Sequence, residues 1–335
     1  MKNIFNKHKI ISGILIFVIV FFMLLFGISH GVYHRSFFAT VIEIYMVIID
    51  REQIYAEGPA YDANIAERAV TNLEPYLKPD SVKMDVSYTY DYQHGMQVYH
   101  FNEETLTDTM IIYYPGGGYL NDPLVYHWKI INKLCQETNL PVLMPVYPKA
   151  PNYTCEQSYE VVMNFYLDVV ANENIKKVIF IGDSSGGGMS LVMAQLLRDN
   201  HPEVLQPSEL ILLSPWVDAS AENEEIKEID PHDPMLDEYG LVEIGQLWAG
   251  NLDVHDPMVS PIYGTFENLG HITMFASTRD ILCPDDIKLS EMLTEQGIEH
   301  TFVLEEGLNH PYALFPIPEA NDARAVIVDA ILGNY

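Results

Sequence analysis

Cations and cysteines are scarce in this chain of 335 residues. Lys and Arg number 18 against 47 Asp and Glu, for a formal net charge of −29. Gripping nucleic-acid phosphates needs clustered cations, so the balance argues against a nucleic-acid partner. The three cysteines, Cys135, Cys155 and Cys283, show no C-x-x-C spacing and are too few for a disulfide scaffold. They are expected as small buried hydrophobes, with one disulfide as the alternative in an oxidising compartment, and no metal site is expected. Glycine and proline follow no period, which excludes a collagen-like chain, and no internal repeat is present. There is also no G-x-G-x-x-G and no glycine loop ending in Lys-Ser/Thr, which removes the dinucleotide fingerprint and the P-loop.

What remains is a chain with 48% hydrophobic residues, long enough to bury a large core. Its charge is unevenly spread. Residues 1–35 hold Lys2, Lys7, Lys9 and Arg35 and no acid. Ile10 to Ile28 is uncharged. As a helix it would span about 28 Å, close to the ~30 Å hydrocarbon thickness. It outruns the roughly 7–15 apolar residues of a cleaved signal peptide. The expectation is an uncleaved transmembrane signal-anchor over 10–28, with secretion after cleavage and a buried helix as alternatives. The lysines before the run place residues 1–9 as a cytoplasmic tip and residues 30–335 outside the cell membrane, in a single-pass arrangement. A second apolar stretch, Phe37 to Ile49, is too short to span and contains Glu43. It is expected to lie on the membrane or to pack on the folded body.

After residue 80, β-rich runs alternate with helical stretches. Strands are expected over 83–90, 96–101, 109–114, 142–146, 177–181, 210–213, 272–277 and 301–304. Helices are expected over 123–138, 155–170, 185–200, 285–296 and 322–332. Apolar strands between helices specify a sheet buried on both faces. The expected fold is therefore α/β, with a doubly wound, mostly parallel eight-stranded sheet in one domain over 79–335. Residues 218–262, rich in acids and prolines, break the rhythm and read as an insertion. With residues 30–78 they would form a helical cap over the carboxyl ends of the strands, where open α/β sheets bind ligands.

The chemistry is concentrated at four places. Val178-Ile-Phe-Ile181 runs into Gly182-Asp-Ser-Ser-Gly186, a G-x-S-x-G between a strand and a helix. A serine hydroxyl is a weak nucleophile, and a sharp turn between small residues presents it to a base. Ser184 fits the frame, whereas Ser185 does not, because Asp183 stands two before it. Acyl transfer also needs donors for an oxyanion. Pro115-Gly-Gly-Gly-Tyr119 follows a strand upstream, and the N–H of Ser185 opens the helix. A base belongs in the loop after the last strand, where His310 stands; His271 and His300 begin strands, and His255 lies in the insertion. The acid that orients it should follow the penultimate strand. Asp280 is there, with Asp285 and Asp286 as alternatives that also suit the first turn of the next helix. The order Ser184, Asp280, His310 is the α/β-hydrolase order.

With these residues in view, the body resembles the hormone-sensitive-lipase-like bacterial esterase branch of the α/β-hydrolases (alpha/beta hydrolase fold-3) over about residues 80–335. Four stretches carry the likeness: Tyr114-Pro-Gly-Gly-Gly-Tyr119, Val146-Tyr-Pro-Lys-Ala-Pro151, Gly182-Asp-Ser-Ser-Gly-Gly187 and Leu213-Ser-Pro-Trp216. The resemblance implies an oxyanion hole from Gly117, Gly118 and Ser185, and a triad of Ser184, Asp280 and His310. It implies a serine carboxylesterase acting on small to medium acyl esters, with a small-molecule ester as substrate and no cofactor; joined to the expected anchor over 10–28, this makes the expected protein a membrane-tethered esterase. An amidase or acyltransferase on the same triad, and a binding protein with an impaired pocket, are the other readings. The departures are specific. Pro115 stands where the family has His, Asn152 where it often has Glu, and the acid motif reads Asp280-Ile-Leu-Cys-Pro-Asp285. Trp248, Phe37, Phe38, Tyr45 and Met46 are candidates for an apolar acyl site, with cap core as their alternative fate.

Overall fold

The computed structural model describes residues 2–49 and 51–334, with side chains from residue 15 onward apart from Val18. The strands are β1 (Tyr88–Gln93), β2 (Met96–Phe101), β3 (Thr109–Tyr114), β4 (Val142–Val146), β5 (Lys177–Asp183), β6 (Glu209–Leu213), β7 (His271–Ser277) and β8 (His300–Glu305). They form one eight-stranded sheet in the order β1-β2-β4-β3-β5-β6-β7-β8. β1 and β2 make an antiparallel hairpin, and β2 lies antiparallel to β4. From β4 through β3 to β8 every pairing is parallel. His94 and Gly95 both have positive φ at the hairpin, which matches the right-handed twist of the two strands.

The helices are α1 (Lys2–Gly31), α2 (Phe37–Ile48), α3 (Pro59–Thr71), α4 (Val125–Thr138), α5 (Cys155–Ala171), α6 (Ser185–Asn200), the short α7 (Ile226–Ile229), α8 (Glu238–Ala249), α9 (Cys283–Glu295) and α10 (Pro318–Leu332). The sheet has a separate core on each face. α5, α6 and α9 bury Phe165, Leu191 and Leu289 on one side, and α4 and α10 bury Trp128 and Ile327 on the other. The interior strands β3 and β5 are almost wholly apolar because both of their faces are covered.

The first strand differs from its expected span. Residues 85 and 86 give their N–H groups to the Asn132 side chain on α4, at 2.8 and 3.3 Å, instead of to a ladder. Pairing therefore starts only at Tyr88, and β1 is an exposed edge strand. Elsewhere the ends move by a few residues, most at α10, which begins at Pro318. All three cysteines are free and buried.

The expected anchor over 10–28 falls within α1, and its first residues and Val18 lie outside the described side chains. Among the described residues no helix is long and apolar enough to cross a membrane. α2 packs on the body: Ala39 and Met46 join the core that also holds α4 and α10, and Ser36 caps the helix by accepting the Ala39 N–H. The N-terminal segment and the 218–262 insertion also pack on each other. Tyr61 of α3 meets Tyr239 of α8 edge-on at 5.3 Å. A Cβ on Gly240 would sit 2.5 Å from the Tyr55 carbonyl oxygen, so only glycine permits this approach.

Candidate active site

Ser184 sits on the turn between β5 and α6 with φ 52° and ψ −126°, a strained backbone for a residue with a side chain. The turn is fixed from outside. Its carbonyl accepts the N–H groups of Gly187, Gly188 and Trp216, at 3.0, 3.2 and 2.8 Å. A Cβ on Gly186 would lie 1.9 Å from the Tyr114 carbonyl oxygen, which explains the glycine two after the serine. Ser185 is the first residue of α6, where its N–H lies at the positive end of the helix.

The glycine loop is held at both sides despite Pro115. The Tyr147 hydroxyl donates to the Pro115 carbonyl at 2.7 Å. The Gly116 N–H donates to Asp183 at 3.1 Å, and a Cβ there would meet that carboxylate at 2.2 Å. Gly117 and Gly118 adopt φ of 143° and 64°. Among the described residues their N–H groups make no hydrogen bond. The Asp183 carboxylate also accepts from Tyr113 at 2.8 Å and from His127 of α4 at 3.1 Å. Burial penalises its charge, but His127, Tyr113 and Gly116 outweigh that and hold its pKa below 3.8. His127 was not legible as a site residue from its place in the sequence. The signal was faint: an oxyanion loop lacking the family's His needs another polar partner.

His310 and Asp280 are in contact. His310 Nδ1 and Asp280 Oδ2 are 2.8 Å apart, and both residues are buried. The other carboxylate oxygen accepts the Leu282 N–H at 3.0 Å. The Arg279 N–H donates to the Leu308 carbonyl at 3.1 Å, which joins the loop carrying the acid to the loop carrying the histidine. Asp285 and Asp286 lie in the first turn of α9, and Asp285 accepts from Asn223 instead. A further carboxylate, Asp233 of the insertion, stands behind the pair. It accepts the Ile281 N–H at 3.0 Å and those of Met235 and Leu236 at 2.8 and 3.1 Å. Burial, then the charge of Asp280, pushes its pKa up to about 7. Burial alone would lower His310, yet Asp280, Asp233 and Asp183 together raise it above 6.5.

Ser184 and His310 line one cavity of about 50 Å³ with Gly117, Gly118 and Leu236. Its walls come from the N-terminal segment (Arg51, Tyr55), α4 (Tyr126), the insertion and the His310 loop (Leu314, Phe315). The residues suggested for an acyl site lie elsewhere. Trp248 is buried and stacks on Tyr119 at 4.1 Å, Met46 is core, and Phe38 and Tyr45 point to solvent. Phe37 packs against Phe22 of α1. A larger groove, about 880 Å³, opens beside Asp108, Pro141 and Ile175, at the amino ends of the parallel strands and opposite Ser184. His271 and His300 begin β7 and β8, and His255 is exposed beside Asp253 and Glu222. Among the described residues no three His, Cys, Asp or Glu side chains group as metal ligands.

The sequence also gave no hint of Arg35. Its buried guanidinium donates to Glu43, to the Gly307 carbonyl at 2.7 Å and to Asn309 at 3.5 Å. Glu43 in turn accepts from Arg279 at 3.1 and 3.2 Å. The segment before α2 thus braces both loops that meet at His310 and Asp280.

A doubly wound sheet with a serine on a strand–helix turn and a buried His–Asp pair at the carboxyl ends is the α/β-hydrolase architecture. The alpha/beta hydrolase fold family model matches residues 111–314. The chain belongs to that family. A triacylglycerol lipase of Mycobacterium tuberculosis is 28% identical over 76% of this chain, which spans only 54% of that protein's length. An esterase of Acinetobacter venetianus is 26% identical, over 66% of this chain and 73% of its own. The crystal structure of a candidate esterase from Staphylococcus aureus superposes with a TM-score of 0.79 at 27% identity, covering 84% of this chain and 95% of that one. An esterase of the bacterial hormone-sensitive lipase family aligns at TM-score 0.73 and 20% identity, over 86% and 96%, a likeness of fold.

Proposed function

We propose that the protein is a serine carboxylesterase for esters with short acyl chains, with Ser184 as nucleophile, His310 as general base and Asp280 as the acid that orients it. The observation that carries this reading is the buried His310–Asp280 pair, which shares a cavity with Ser184 on its strained turn. His310 takes the hydroxyl proton as Ser184 attacks the ester carbonyl. Asp280 fixes the imidazole tautomer and stabilises the imidazolium. The N–H groups of Gly117, Gly118 and Ser185 receive the oxyanion. The alcohol leaves with the proton from His310, and a water activated by the same ring then releases the acid from the acyl-enzyme. A cavity of about 50 Å³ favours a short acyl group.

The reading includes a membrane tether through α1 with the hydrolase outside the cytoplasm. Lysines precede the apolar run, and Leu15, Phe17, Phe21, Met23, Leu24 and Phe26 are exposed along the helix. A helix that is apolar all round needs a nonpolar environment. The test of the activity is a fluorophosphonate probe on the full chain in detergent, beside Ser184→Ala. Labelling of the parent alone supports the assignment. A folded parent that does not label, or labelling that survives the substitution, overturns it.

A further inference from the structure

Arg51 opens the short turn Arg51–Ile54 and lines the cavity that contains Ser184 and His310. It is the only Lys or Arg among the described residues that line the cavity. The one acid among the described lining residues, Asp183, is already engaged by His127, Tyr113 and Gly116. Arg51 differs from the rest of its kind. Arg35, Arg68, Arg198, Arg279 and Arg324 each pair with a carboxylate. Arg51, in a chain with 47 acids, has neither ion pair nor hydrogen bond among the described residues. Its charge reaches the hydroxyls of Tyr55 and Tyr126, which stand on either side of the cavity wall. A half-buried guanidinium without a partner among the described residues has lost hydration that a ligand can restore. Its planar fork matches a carboxylate in two parallel hydrogen bonds.

We propose that Arg51 is a specificity-determining residue that receives the free carboxylate of an ester whose acyl or alcohol half carries one. The inference rests on the ester-hydrolase reading and narrows its substrate class. The small cavity and the single cation favour a monoanionic carboxylate over a phosphate, whose two charges call for more donors. The acidic body repels such substrates at long range, but salt screens that field within about 8–10 Å, whereas a contact with Arg51 inside the cavity is screened less. The carboxylate takes no part in the bond changes; it fixes which end of the ester enters first.

The experiment compares kcat/KM within two matched ester pairs on the full chain. Nitrophenyl hydrogen glutarate is set against nitrophenyl pentanoate for an acyl-side anion. Acetoxybenzoate is set against its methyl ester for an alcohol-side anion. The parent is expected to favour the anionic member of one pair. Arg51→Gln should lower that anionic-to-neutral ratio by about tenfold, the effect of one charge-assisted contact. Arg51→Lys should restore part of it, and Arg51→Glu should turn the preference toward the neutral ester. Neutral esters preferred in both pairs by the parent, or equal losses on both members of a pair in Arg51→Gln, overturn the inference and leave the esterase reading standing. A parent that cleaves no ester at all overturns the esterase reading and this inference with it.

Discussion

His127 Nε2 donates to Asp183 at 3.1 Å and ties α4 to the residue before Ser184. The Leu124 N–H donates to the other ring nitrogen at 2.7 Å, so Nδ1 accepts and Nε2 faces the carboxylate. The same carboxylate holds the Gly116 N–H, so one buried acid aligns the loop that would receive the oxyanion. His127→Phe removes a donor from a buried charge. The expected loss of stability is about 2–4 kcal/mol, with slower acylation as the loop relaxes. His127→Gln keeps a donor and should cost less of both. Urea unfolding with single-turnover release of nitrophenol measures the two effects. Equal behaviour of Phe and Gln would show that the hydrogen bond is immaterial.

Arg35 braces the loops that carry Asp280 and His310 from far away in sequence. Arg35→Met leaves the Gly307 carbonyl without this donor, and Glu43 retains Arg279. The expected cost is about 2–3 kcal/mol, below that of a fully orphaned buried acid, because one partner remains. kcat should fall further than KM rises, since the loops and not the cavity wall are disturbed. A truncation at residue 30 should behave like the full chain, and one at residue 50 should not. Full activity after removal of residues 1–50 would refute the bracing role.

The sheet was legible because its strands are uniformly apolar runs set between helices, a pattern that only burial on both faces explains. Ser184, Asp280 and His310 could be proposed because each follows a strand, where the order of elements narrows the position. The edge strand β1 was misjudged because its start depends on Asn132, a side chain on another element. Arg51 escaped because only the fold brings it to the cavity that holds Ser184. Arg35, His127 and Asp233 escaped for the same reason as the start of β1. Each acts through a partner distant in sequence, and neither spacing nor composition records such pairs. The suggested acyl-site aromatics failed because size and apolarity mark core as readily as pocket, as the buried stack of Trp248 on Tyr119 illustrates.

His310 titrates above 6.5 because Asp280, Asp233 and Asp183 face it strongly enough to overcome its burial. The proposed general base must be neutral, so kcat/KM should fall as pH drops through that raised value. Burial and the charge of Asp280 push Asp233 up to about 7, and the charges of Asp233 and His310 act on each other, so the two are coupled. Asp233→Asn takes away one of the three facing acids. The acid limb should then move to lower pH by about half a unit, the scale of one secondary charge. A pH profile of kcat/KM on a neutral ester reads this directly. A limb that stays in place would mean that Asp233 only secures the Ile281 N–H.

Asp286 is fully buried in the first turn of α9, and neither oxygen has a hydrogen-bond partner among the described residues. Burial, then the charges of Asp280 and Asp285, raises its pKa well above 3.8. The folded chain therefore keeps a proton that the unfolded chain releases. With the folded value raised, this stabilising contribution is full below the unfolded pKa of 3.8 and is lost as pH climbs from there toward the folded pKa. Asp286→Asn has the same shape and cannot ionise. The stability of the variant relative to the parent should grow by about 1.4 kcal/mol per pH unit above pH ~5. Asp285, pushed up to about 6, contributes equally to both proteins and cancels. Urea unfolding at three pH values across this range supplies the slope. A difference that is flat with pH would mean that Asp286 is ionised in the folded state and finds a counter-charge there.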